Sequence, residues 1–217
     1  MIDNSLKNLI LLRHADFDNS SKSINFYGFM ETIAVAEYLR NNKYPLPNAF
    51  VASAEKRTAQ VSKIISSSLT RAEIPIFQER MIYWDALCGT EDAVKKNGLK
   101  DSSFLITVSH HSGLESSLKR LNYEKSVIYC ADTFLLTAPS WADMFSINNN
   151  IRIKHLISPA QIRFFDKPGF KEIESAFEER SNNCDIDKIP QLLEHLRTNQ
   201  SLRNLMINIL DLSVSVK

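Results

Sequence analysis

Two short apolar runs, each ending abruptly at a polar segment that carries a histidine, constrain the fold more than any other feature. Leu9-Ile10-Leu11-Leu12 stops at Arg13-His14, and Phe104-Leu105-Ile106-Thr107-Val108 stops at Ser109-His110-His111. A continuous apolar run without alternation is the pattern of a strand buried on both faces of a parallel sheet. Such strands need helices on either side, and the intervening sequence supplies them. Asn25 is placed to cap a helix running to about Asn41, with Phe29, Ile33 and Ala36 on one face. Phe50-Val51-Ala52 reads as a second strand, and Thr58, Val61, Ile64, Ile65 and Leu69 share the face of a helix whose first turn carries Lys56 and Arg57. Ile74 to Phe77 is a third strand, placed at an edge or a strand start by Pro75.

Residues 78–102 are less regular, with a short helix expected around Glu91 to Lys96, and form the segment best suited to cover a site. Leu114 to Leu121 reads as a helix and Thr133 to Thr137 as a strand. The alternation predicts a three-layer α/β/α domain with a mostly parallel sheet over residues 1–165. Beyond Pro159 only helical patterns remain. Phe170, Ile173 and Phe177 share one face, and Leu202, Leu205, Met206 and Ile209 share another, so residues 166–217 are expected to be a helical C-terminal extension.

Composition narrows the function by exclusion. Twenty-six Lys and Arg against 25 Asp and Glu give a net charge of +1, too balanced for a global field that draws in nucleic acid or an anionic membrane. The three cysteines, Cys88, Cys130 and Cys184, form no pair with zinc or redox spacing. They read as reduced thiols of a cytoplasmic protein. The run at Leu9 to Leu12 is too short for a signal-peptide core or a membrane span.

Any selectivity for anions must therefore be local, and the strand ends supply it. His14 and His110 both follow the carboxyl ends of buried strands, the edge at which open α/β sheets bind ligands. Arg57, in the first turn of a helix that also follows a strand, adds a guanidinium where the helix dipole already favours an anion. An Arg-His pair by itself is more often a surface feature. Three groups converging on one point are a candidate anion site.

The motifs around these residues resemble those of the histidine phosphatase superfamily. Leu11-Leu12-Arg13-His14-Ala15 is similar to its Arg-His-Gly/Ala signature, and Ser53-Ala54-Glu55-Lys56-Arg57-Thr58-Ala59-Gln60 to its Ser-Pro-x-x-Arg-Ala-x-Gln segment. Ser109-His110-His111-Ser112-Gly113-Leu114-Glu115 resembles the block Gly/Ser-His-Asn-Pro-Gly-Leu-Glu. Ala15, the short chain, and Leu156-Ile157-Ser158-Pro159 resemble the SixA-type phosphohistidine phosphatases, over roughly residues 7–165. Departures are Ala54 for proline, Val61 for threonine and His111 for asparagine.

The resemblance implies metal-independent hydrolysis through a phosphohistidine on His14, with Arg13 and Arg57 gripping the phosphoryl oxygens and His110 as a further donor. No cofactor and no metal are implied. For a general acid, Asp85 is the first candidate, before Glu79 and Glu91. The substrate implied is a phosphorylated protein, such as a histidine phosphotransfer domain; a small phosphate ester is the alternative, and a non-catalytic phospho-binding scaffold a third reading. His155 and His195 are expected to be structural or surface residues.

Overall fold

The computed structural model describes residues 5–125, 127–147, 150–162, 164–181, 189–201 and 204. Six strands form one sheet: β1 (Lys7–Arg13), β2 (Ala49–Ala52), β3 (Ile76–Gln78), β4 (Phe104–Ser109), β5 (Thr133–Ala138) and β6 (Arg152–Ile157), in the order β3-β2-β4-β1-β5-β6. The first four are mutually parallel; β5 runs antiparallel to β1, and β6, antiparallel to β5, takes the direction of the first four again. The mostly parallel sheet is thus a mixed one. Strand β6 escapes a sequence reading because its alternating, partly exposed side chains lack the apolar run that marks β1 and β4.

Alternate residues of the central strands feed two separate cores. Ile10, Leu12, Phe50, Ile106 and Val108 join α1 (Phe26–Asn41) and α2 (Lys56–Leu69) on one face. Leu9, Leu11, Leu105 and Leu136 join α3 (Ala86–Lys96), α4 (His111–Arg120) and α5 (Trp141–Ser146) on the other. Thr107, the polar residue inside β4, is satisfied by Thr90 Oγ1 of α3 at 2.7 Å. The helix expected near Glu91 begins at Ala86 because Asp85 caps it, its carboxylate accepting from Cys88 N at 3.0 Å.

Two further helices, α6 (Phe170–Ser181) and α7 (Ile189–Thr198), cover the first core. Phe170 and Phe177 pack on Phe26 at ring separations of 5.0 and 5.3 Å, and Phe177 reaches Phe29 at 5.0 Å. Burial from both sides explains why α1 is apolar nearly all round rather than striped. The stripe from Leu202 to Ile209, and Cys184, lie outside the described residues. Among the described residues no helix is long and apolar enough to cross a membrane.

The topology decides where a ligand fits. β1 leads into α1 on one face, whereas its neighbour β4 leads into α4 on the other, so a crevice opens between their carboxyl ends. Arg13 pairs with Ser109 in the ladder, which sets His14 and His110 side by side at the mouth.

One glycine fixes the loop behind His14. Asn25 caps α1 by accepting from Gly28 N at 2.9 Å and donates to the Asp16 carboxylate at 2.8 Å. A Cβ on Gly28 would stand 1.9 Å from the Asp16 carbonyl oxygen, which is backbone and has nowhere to retreat. Gly28→Ala is therefore expected to lower stability by about 3 kcal/mol or more, at the upper end of overpacking costs. Urea unfolding measures it. An unchanged midpoint would mean that α1 is not clamped against this loop.

Candidate active site

His14 leaves β1 into the crevice and is almost wholly buried. Its Nδ1 lies 2.8 Å from the Ala15 carbonyl oxygen. A carbonyl only accepts, so the ring proton is on Nδ1, and Nε2 carries an in-plane lone pair. Burial first, and then the charges of Arg57 and Arg13, lower the ring's pKa to about 4 against the opposing pull of the Ala15 bond. The imidazole is neutral and nucleophilic throughout the physiological range.

His110, the N-cap of α4, stands 4.9 Å from the His14 ring. Arg57 Nη2 donates to its Nδ1 at 3.1 Å, which puts the His110 proton on Nε2, 2.7 Å from Ser53 Oγ. Burial and then the facing His14, Arg57 and Arg13 lower its pKa to about 3. As arranged, His110 spends its proton on Ser53 and offers a lone pair to Arg57. This differs from the expectation of a ready donor to an oxyanion, because β2 and β4 lie side by side and bring Ser53 against the ring.

Both arginines are partly satisfied by the protein. Arg57 contacts Glu55 at 3.4 Å through Nη1 and lies 4.5 Å above the Phe17 ring, while Arg13 Nη1 donates to the Ile128 carbonyl at 2.5 Å. The Nε of each is buried and has no hydrogen-bond partner among the described residues. An N–H held away from water without an acceptor costs free energy, so both guanidinium groups sit in a costly environment. The first turns of α2 and α4 adjoin them, and neither helix has a side-chain cap bond at its N-terminus.

The carboxylates expected near the site are committed elsewhere. Besides capping α3, Asp85 accepts from Ser117 Oγ at 3.0 Å and Arg120 at 2.7 Å. Burial works to raise its pKa, but the bonds from Cys88, Arg120 and Ser117 outweigh it and hold the carboxyl below its ordinary value. Such a group keeps no proton to give at neutral pH. Glu79 pairs with Lys96 at 2.6 Å and Glu91 with Lys95 at 2.6 Å.

Several neighbours escaped the sequence reading. Phe17 packs edge-on to His14 at 5.2 Å while supporting Arg57, and Tyr83 lies 4.4 Å from the His110 ring. A cleft of about 400 Å³ beside His110 is lined by Ser53, Ala54, Glu55, Arg80, Tyr83 and the largely exposed Trp84. Glu31 of α1, nearly fully buried, accepts from Asp16 N at 2.8 Å. His155 belongs to a separate network, 3.5 Å from the fully buried Asp132 that Lys125 and Ser158 also contact. Among the described residues no three His, Cys, Asp or Glu side chains are grouped to hold a metal ion.

Solved structures share this arrangement of strands and helices. Phosphohistidine phosphatase SixA from Nakamurella multipartitia superposes with a TM-score of 0.51 at 17% identity, covering 70% of this chain and 98% of that one. The SixA from Agrobacterium tumefaciens gives the same figures. A protein histidine phosphatase SixA complexed with tungstate gives 0.56 at 14% identity, over 72% of this chain and 99% of the other.

The fold is the one these SixA structures share.

No family model and no curated protein matches the chain. The likeness to these structures is thus carried by the course of the backbone.

Proposed function

We propose that the chain is a histidine phosphatase in which His14 Nε2 attacks phosphorus. The observation that carries this reading is the His14 Nδ1–H bond to Ala15. It fixes the tautomer that frees Nε2, in a pocket where two buried arginine N–H groups lack acceptors. In the first step the Nε2–P bond forms as the bond from phosphorus to the leaving group breaks. The guanidinium groups of Arg13 and Arg57 stabilise the charge spread over the phosphoryl oxygens in the transition state. In the second, water attacks phosphorus, inorganic phosphate departs, and His14 recovers its lone pair. His110 holds Arg57 in place by accepting from its Nη2 through Nδ1.

The leaving group favours phosphohistidine in a protein, such as a histidine phosphotransfer domain. An alkoxide needs a proton from a well-placed acid, whereas a phosphohistidine ring is protonated near neutral pH and departs as neutral imidazole. Asp85, Glu79 and Glu91 are all tied to cations. A solved fold relative, a protein histidine phosphatase SixA, is complexed with tungstate, an oxyanion like phosphate, which supports an oxyanion as ligand of this fold. One observation favours a phosphate ester instead: Glu55, partly exposed, lines the cleft beside Arg57.

Hydrolysis rates on a phosphohistidine protein and on alkyl phosphates decide between them. The expected order is phosphohistidine first, with Asp85→Asn and Glu55→Gln each changing that rate by less than about threefold. If alkyl phosphates are hydrolysed faster and Glu55→Gln abolishes that activity, the ester reading replaces the first. Activity is also expected to survive chelation, since no step calls on a metal.

A further inference from the structure

We propose that Glu31 is a positioning residue for His14, acting through the single peptide group that joins Ala15 to Asp16. The carbonyl of that peptide accepts from His14 Nδ1 at 2.8 Å, and its N–H donates to Glu31 Oε2 at 2.8 Å. A carboxylate, an amide and an imidazole thus stand in one hydrogen-bonded line. Each bond in such a chain polarises the next. Negative charge on Glu31 draws the amide N–H, enriches the carbonyl oxygen, and strengthens its hold on Nδ1–H. That hold makes Nε2 a better nucleophile and steadies the imidazole as it becomes positive on taking up the phosphoryl group.

The relay rests on reading His14 as the nucleophile, but its geometry is independent of turnover. Gly28 and Asn25 press α1 against the Asp16 backbone, so Glu31, one turn further along the helix, meets the peptide from beneath. The groups that face Glu31 come from three places: Asp16 in the loop, Arg13 on β1, and Cys130 and Asp132 in the segment before β5. Burial is the largest influence and raises the Glu31 pKa to about 7, with Asp16 N–H and Arg13 opposing it and the Asp16 and Asp132 charges adding to it. Below that pH the carboxyl is neutral and the relay weak; above it the carboxylate is formed and the relay strong. The ascending limb of activity is therefore expected near pH 7, well above the value of about 4 at which His14 itself loses its proton.

Glu31→Gln keeps an oxygen for the Asp16 N–H and removes only the charge. In nitrogen NMR of the resting protein, without substrate, the His14 Nδ1 signal of the unaltered chain should move between about pH 6 and pH 8, and in Glu31→Gln it should stay still. In kinetics the same variant should lose roughly tenfold in kcat with KM unchanged, together with the limb near neutrality. A still signal in the unaltered chain, or the same movement in Glu31→Gln, overturns the relay. Because the NMR arm needs no hydrolysis, it stands or falls separately from the assignment of His14 as nucleophile.

Discussion

His14→Ala is expected to lower kcat by roughly ten-thousand-fold or more, the scale seen when a nucleophile is removed from a constellation that works as a unit. The variant should still fold. Among the described residues the His14 ring bonds only to the carbonyl of its own neighbour, so its loss breaks no link between these elements, and its contacts with Phe17 and His110 are edge-on. Quenching the unaltered protein during turnover should trap a phosphoryl group on His14. A nitrogen-linked phosphate is labile in acid and stable in base, opposite to a serine ester. Recovering the label on another residue, or near-normal turnover in His14→Ala, removes the proposed intermediate.

Arg57→Lys is the second large effect, and it separates charge from geometry. The guanidinium bonds His110 through Nη2, approaches Glu55 through Nη1 and buries its Nε–H, three directions set by one plane. A lysine ammonium retains the charge but cannot serve all three in that fixed fork. Loss of one preorganised donor to a developing oxyanion costs on the order of a hundred- to a thousand-fold. The expected result is a fall of that size in kcat/KM with an unchanged circular dichroism spectrum. A lysine variant within a few-fold of the parent would show that Arg57 serves through charge alone.

Much of the frame was legible in the sequence because it rests on local pattern. The apolar runs at Leu9 and Phe104 are buried strands, Asn25 is the cap of α1, and His14, Arg57 and His110 do meet at one crevice. What escaped depends on which elements become neighbours in space. Nothing local distinguishes Asp85 as an acid from Asp85 as a cap. The difference lies in Ser117 and Arg120, some 30 residues further along the chain. Ser53 engages the His110 ring only because β2 and β4 are adjacent. Glu31 left a faint signal, a lone carboxylate inside the otherwise uncharged run from Phe26 to Ala36.

The crowding of proton acceptors and guanidinium groups at the crevice has a thermodynamic side. Folding keeps both histidine rings from protonating, whereas in the unfolded chain they titrate near their ordinary value. Because the folded pKa values are depressed, the unfolded state binds more protons once the pH drops below about 6.5, and stability is lost progressively as acid is added from there. The buried arginine N–H groups weigh in the same direction, since their lost hydration is not replaced by protein acceptors. A dianion seated among these groups reverses both costs, and by mass action it draws the population toward the folded state. Ligand and fold are in that sense partners. Under the proposed function, the concentration of phosphoryl compounds around the protein would set its folded population as well as its occupancy.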